Sequence, residues 1–429
     1  MNTIEIIPPN KKWSGSAQVG GSKSYTNRAL ILAALAKGVS RLSSLSMSDD
    51  SHVLITCLCT LGVDITEIDA TTCTVRGCGG VFKQQNTTLD VGHAGTAMRF
   101  LTAVCCLVPG AIVLDGSVRM RERPINDLVL ALRDMGADIQ CTGKEGYPPL
   151  LIRGGSISSS HVMIRGTVSS QYVSALLLIA GTLKDGLEIT ITGEQISKSY
   201  IDMTMDSLRS YGIGVHNDHY TKYSVAPHTS QPSKQYQIEG DASSASYLFA
   251  LAAVTGSTIT VSNLNPHSAQ GDIRFPDLLE QMGCTVVKKK SSITVIGPQK
   301  LSSISADMSS MPDTAQTLAV VAACAVGTTH IRGLSTLRVK ETDRISATKT
   351  ELEKIGISCD ATDDSLTIYG GSPHGARIHT YQDHRMAMAF SIAGAVTKGV
   401  QIEDPQVVNK SFPEYWETLQ TLGIRVKQI

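Results

Sequence analysis

Gly20-Gly21-Ser22-Lys23-Ser24, followed one turn on by Arg28, sets a glycine turn, hydroxyls and two cations at the start of a helix-like run. Free backbone N–H groups at a helix N-terminus attract an anion, and the helix dipole, lysine and hydroxyls add to that attraction. The spacing is not that of the nucleotide P-loop, and taken alone the stretch is also an ordinary capped helix start. Two later stretches repeat the chemistry. Gly92-His93-Ala94-Gly95-Thr96-Ala97-Met98-Arg99 again puts small residues before a helix with an arginine one turn in, and Thr167-Val168-Ser169-Ser170-Gln171 offers hydroxyls and an amide. The second half adds carboxylates to the cations: Asp313 at a helix start, Lys340-Glu341-Thr342-Asp343-Arg344, Asp383-His384-Arg385 and Lys410. Lys340 with Arg344 alone would read as a solvated pair on a helix, and Asp383 as a cap. His384 reads as an orienting or core histidine, and His93, His216 and His219 lack carboxylate or Cys partners at metal-ligand spacing.

These helix starts recur because the chain repeats. Six segments end alike, in Leu, three residues and Gly, at Leu58–Gly62, Leu132–Gly136, Leu208–Gly212, Leu279–Gly283, Leu352–Gly356 and Leu419–Gly423, the glycines 74, 76, 71, 73 and 67 residues apart. A period of about seventy residues is an internal repeat. Small-residue-rich stretches that begin near Ser22, Ala94, Ser169, Asp241, Met311 and Tyr381 form a second series, each followed by a β-branched run. Each repeat reads as strand, helix, strand, helix, strand, strand, the first beginning with a strand near Ala17 to Val19. The stretch Pro227 to Lys234, rich in Ser, Pro and Gln, marks a boundary between the third and fourth repeats. The sixth stops one strand short, and the spare strand is Thr3 to Ile7. The expected architecture is therefore α/β, two similar three-repeat domains, 21–238 and 1–20 plus 239–429, joined by two strands that form a hinge.

With 38 basic and 38 acidic residues in 429, the protein has no net charge, so bulk attraction to nucleic acid or a membrane surface is not expected. The ten cysteines lack zinc-like spacing and read as reduced thiols. No signal peptide or membrane span is legible, which points to a cytoplasmic protein.

Together Gly21-Ser22-Lys23-Ser24 with Asn27-Arg28, Ala94 to Arg99, Arg121-Glu122-Arg123-Pro124, Ser169-Ser170-Gln171, Ser197-Lys198-Ser199-Tyr200, Gly240 to Ser244, Arg338 to Arg344 and Asp383 to Ala387 resemble the enolpyruvyl transferases over nearly the whole chain. The resemblance is to the branch whose acceptor is shikimate 3-phosphate. It implies two domains of three βαβαββ-type units, the inside-out α/β barrel of that family. It also implies transfer of the carboxyvinyl group of phosphoenolpyruvate to the acceptor's 5-hydroxyl, with no metal or organic cofactor, by a monomer acting on two small anions.

Carried over by position, Lys23, Ser24, Arg28, Ser169, Ser170, Gln171, Ser197, Tyr200, Asp313, Thr336 and Lys340 would hold shikimate 3-phosphate. Lys23, Gly95, Arg99, Arg123, Gln171, Glu341, Arg344, His384, Arg385 and Lys410 would hold phosphoenolpyruvate. Asp313 would be the base and Glu341 the acid, with Lys23 assisting. His93, Phe100, Ser199, Gly20 and Thr336 depart from the commonest family pattern. The sister enzyme acting on UDP-N-acetylglucosamine carries Cys in the loop before its Arg-Pro and a Lys-Asn start, where this chain has Arg119-Met120-Arg121-Glu122-Arg123-Pro124 and Lys23-Ser24. A non-catalytic repeat scaffold would lack Asp313, Glu341 or Lys23, and all three are present.

Overall fold

In the computed structural model, residues 3–155, 157–228 and 235–429 are described. The Leu-to-Gly signature turns out to be a helix C-cap used six times. In each, the glycine N–H donates to the carbonyl three residues back, as Gly62 does to Cys59 (2.9 Å), and the next N–H donates to the leucine carbonyl, as Val63 does to Leu58 (3.0 Å). All six glycines have φ between 75° and 102°, the left-handed region that a residue without Cβ enters freely. The leucine and the apolar residue after the glycine are buried in every case.

Each repeat closes with a four-stranded sheet. In the second, Gln85–Asp90 lies parallel to Gly110–Asp115, which pairs antiparallel with Leu150–Gly154, which in turn pairs with Asp138–Cys141. The third orders His161–Arg165, Leu187–Thr192, Lys222–Val225 and His216–Asp218 in the same way. Six such sheets and one two-stranded pair stay small and open; none closes on itself among the described residues. The fold is mixed α/β.

Strand ownership differs from the sequence expectation in one respect. The strand expected near Ala17 to Val19 forms at Ser14–Gln18, but it runs parallel to Thr258–Ser262 and completes the fourth repeat. The first repeat takes Tyr236–Gln237, parallel to Leu42–Ser43. A long-range ladder selects the partner: the Asn263 side chain donates to the Val19 carbonyl (2.7 Å) and accepts from the Val19 N–H (3.3 Å), clamping the strand's end. Of the expected boundary stretch, 229–234 lies outside the described residues. The N-terminal strand Thr3–Ile7 does insert in the sixth sheet, between Val400–Glu403 and Arg425–Gln428.

Contacts divide the chain into two compact bodies, Gly21–Ile238 and Met1–Gly20 with Glu239–Ile429. In the first, helices Lys23–Leu35, Gly95–Cys105 and Ser170–Ala180 pack together; in the second, Ala242–Thr255, Ala315–Ala323 and His384–Gly394 do. Beyond the first turn these helices are buried nearly all round, as their Ala, Leu and Met content allows. Polar chemistry is left to their starts.

The borrowed N-terminal strand is a packing element, not a tail. Ile6 is fully buried, and a Cβ on Gly394 would come within 2.5 Å of the Ile6 Cβ. Ile6→Ala should destabilise the protein by about 2–5 kcal/mol, read from the urea midpoint; an unchanged midpoint would mean the strand contributes nothing.

Candidate active site

In the first body, Ser22 caps the Lys23–Leu35 helix by accepting from the Tyr25 N–H. A Cβ on Gly21 would stand 1.7 Å from the Ser44 carbonyl oxygen, so the chain can reach this helix only as glycine. Lys23 Nζ meets Asp50 Oδ2 at 2.9 Å, and both side chains are largely buried. Arg28 is buried and donates to the carbonyls of Ser24 (2.8 Å) and Tyr200 (2.9 Å) and to Thr204 Oγ1 (2.8 Å). Burial draws its guanidinium down to about 10, against the pull of Tyr25, Tyr200 and Tyr236.

The second and third helix starts meet. Arg123 lies over Gly95 so closely that a Cβ there would fall 2.6–2.9 Å from its guanidinium atoms. Arg123 is buried, and its Nε has no hydrogen-bond partner. Gln171 donates to Thr96 Oγ1 (3.2 Å), while Ser169 caps the Ser170–Ala180 helix through the Gln171 N–H. Arg99 is buried and donates to the carbonyls of Gly95 (3.2 Å) and Pro124 (2.9 Å), so it supports the loop that carries Arg123. His93 and Ser117 join at 3.0 Å beside the same loop. Ser170 is buried behind the cap, and Ser197, in the left-handed region at φ 50°, precedes helix Lys198–Ser210.

In the second body the charges form one network. Asp313 lies in the turn Pro312–Thr314, just ahead of helix Ala315–Ala323. It accepts from Arg344 (3.1 Å) and Arg385 (2.8 Å), with Lys340 at 3.9 Å. Arg344 opens helix Arg344–Lys354 and also holds Glu341 (2.8 Å) and Asp383 (2.7 Å). Lys410, at the end of the turn Pro405–Lys410, reaches Glu341 at 3.6 Å. Asp383 caps helix His384–Gly394 through the Arg385 N–H, and His384 stands 3.5 Å from it. Asp343 caps the Arg344 helix and binds Arg338 (2.6 Å), which pins the loop presenting Lys340 and Glu341. Thr336, in the turn Ser335–Val339, keeps a buried Oγ1 without a hydrogen-bond partner.

Burial alone would raise the Asp313 carboxyl, but Arg385, Lys340 and Arg344 outweigh it and hold it well below the usual carboxylate range. Arg344 moves the other way: Asp383, Glu341 and Asp313 overcome burial and raise it. Three buried groups escaped the sequence reading. Asp50 sits in a helix first turn, where an acid is common for capping alone; Tyr247 accepts from Arg385 (3.2 Å) from inside a plain apolar helix; Asp272 accepts from Ser243. Only the doubled acid Asp49-Asp50 after Ser48 was a visible signal.

The first body thus carries polar and cationic groups at three helix starts, and the second a carboxylate–guanidinium network. The family model for EPSP synthase, 3-phosphoshikimate 1-carboxyvinyltransferase, matches residues 7–419. The chain belongs to the EPSP synthase family. It is 42% identical over 427 residues to the 3-phosphoshikimate 1-carboxyvinyltransferase of Marinomonas sp. (strain MWYL1), covering 99% of this chain and 100% of that one. The enzyme of Methanoculleus marisnigri is 42% identical over 404 residues, 94% of this chain and 95% of its own. Among solved structures, EPSP synthase from Acinetobacter baumannii superposes with a TM-score of 0.85 over the full length of both chains at 28% identity.

Asp272 gives the second body a pH dependence. Burial, then the charge of Asp313, pushes its carboxyl up to about 7. The folded protein therefore keeps a proton there that the unfolded chain releases near the ordinary Asp value of about 3.9. The stabilisation is full below that value and is lost as pH rises through about 7. Asp272→Asn should flatten the fall in urea midpoint between pH 5 and pH 8; the same fall in both proteins would sink the assignment.

Proposed function

We propose that the chain transfers the carboxyvinyl group of phosphoenolpyruvate to the 5-hydroxyl of shikimate 3-phosphate, releasing phosphate, in the shikimate pathway. Asp313 is the base and Glu341 the acid. The observation that carries this is their shared cation: Arg344 binds both carboxylates, at 3.1 and 2.8 Å, while Arg385, Lys340 and Lys410 complete the pairing. A carboxylate so well paired is a poor base. Phosphate and carboxylate groups of the substrates compete for Arg344, Arg385 and Lys410, and Asp313 becomes more basic as its cations are drawn away. Glu341, relieved in the same way, can carry a proton.

The chemistry then follows. Asp313 takes the proton of the 5-hydroxyl as its oxygen attacks the central carbon of phosphoenolpyruvate, and Glu341 protonates the methylene carbon to a methyl. Glu341 then takes a proton back from that methyl, re-forming the double bond as the C–O bond to phosphate breaks, and Asp313 returns its proton to the leaving phosphate, which the arginines hold. Phosphoenolpyruvate is gripped by Lys23, Arg123, Gln171, Arg344, Arg385 and Lys410, with Gly95 leaving room beside it. Arg99 serves it through the Arg123 loop, and His384 through Asp383. Shikimate 3-phosphate is held by Lys23, Ser24, Arg28, Ser169, Ser170, Gln171, Ser197, Tyr200, Asp313, Thr336 and Lys340. The partners are two small anions, and a cytoplasmic monomer is the setting we propose.

Asp313→Asn and Glu341→Gln should each lower kcat by roughly 10²–10⁴-fold with the fold kept, in a phosphate-release assay; near-normal turnover in either removes that residue from the scheme. Gly95→Ala forces Arg123 off the helix start, so the KM for phosphoenolpyruvate should rise several-fold more than that for shikimate 3-phosphate. Equal rises would misplace the phosphoenolpyruvate site.

A further inference from the structure

Lys23 occupies an awkward place for a cation. As the first residue of its helix it faces the positive end of the dipole, and only 15% of its side chain is exposed. Asp50 answers both difficulties. It sits in the first turn of helix Asp49–Thr60, where the dipole favours an anion, and its carboxylate, 5% exposed, meets Lys23 Nζ at 2.9 Å.

The position of Asp50 is built into the fold. The Ser46 N–H donates to Thr26 Oγ1 (2.9 Å), tying the loop before Asp50 to the helix that carries Lys23. Ser46 then hydrogen-bonds Ser48, and Ser48 hydrogen-bonds Ser51, each at 3.1 Å and all buried. Close packing of Gly21 against Ser44 fixes the other side of the same loop. Two helix starts are thereby locked together, with the Lys23–Asp50 pair between them.

We propose that Asp50 is a positioning residue for the transfer reaction: it keeps Lys23 protonated and aims its ammonium group at the reacting anions. The inference rests on the role given to Lys23 above. In this role Asp50 acts through Lys23 and not on the substrates. Its removal therefore has a signature that loss of a binding contact would not share. Taking away a negative charge near two polyanions strengthens their attraction to the site and offsets the binding that a displaced Lys23 loses, so KM changes less than kcat. The misplaced lysine costs turnover, and without its carboxylate it gives up its proton more readily.

The test uses Asp50→Asn, Asp50→Glu and Lys23→Met in the full-length chain, with kcat and KM for both substrates followed from pH 6 to pH 10. Asp50→Asn should lower kcat by roughly tenfold to a hundredfold, the loss expected of a misaligned group, with each KM changed less than kcat and the alkaline limb of kcat moved to lower pH. Asp50→Glu should recover part of the loss and return the limb toward wild type. If Lys23→Met is inactive but Asp50→Asn keeps kcat within twofold, or leaves the alkaline limb unmoved, the inference on Asp50 fails alone. Normal turnover in Lys23→Met would overturn it together with the role of Lys23. Circular dichroism and a melting curve on each variant exclude misfolding as the cause of a lost rate.

Discussion

The structure depends on the pairing of buried cations with internal carboxylates. Arg344 is 2% exposed, and in such a site an unpaired guanidinium would cost several kcal/mol. Asp313, Glu341 and Asp383 satisfy it. Of these, Asp383 is wholly buried and tied to a helix cap, so it is a permanent partner. Asp313 and Glu341 are partly open. They are the two that can exchange.

The same economy runs through a chain of no net charge. Cations are gathered at helix starts, where backbone N–H groups already favour an anion, and most lean on a local acceptor. Arg28 leans on the carbonyls of Ser24 and Tyr200, Arg99 on that of Pro124, and Lys23 on Asp50. Arg123 stands apart, resting on the bare backbone of Gly95 with an unpartnered Nε. A glycine there is a vacancy in the shape of a guanidinium.

Much of this was legible because it is local. The repeat could be read from six leucine–glycine pairs, since a Schellman cap is fixed by residues five positions apart. The early stop of the sixth repeat likewise identified Thr3–Ile7 as its missing strand. What could not be read is long-range choice. Ser14–Gln18 pairs with the fourth repeat because Asn263 clamps its end, and nothing within the strand records this. The charged residues themselves were visible, but nothing beside Asp50 or Asp272 in the chain announces their burial, which comes from distant parts of the fold. Arg99 likewise braces the loop carrying Arg123, a contact its motif does not announce.

Exchange of partners at Asp313 can be watched directly. In protein labelled with ¹³C at the aspartate carboxyls, with the Asp313 signal assigned by its loss in Asp313→Asn, titration without ligand should place this carboxyl well below its usual range. With saturating phosphoenolpyruvate it should rise by about one unit or more, as an acid does on losing a cationic neighbour. A titration that stays in place, or moves lower, when the anion binds would contradict the idea that substrate frees the base.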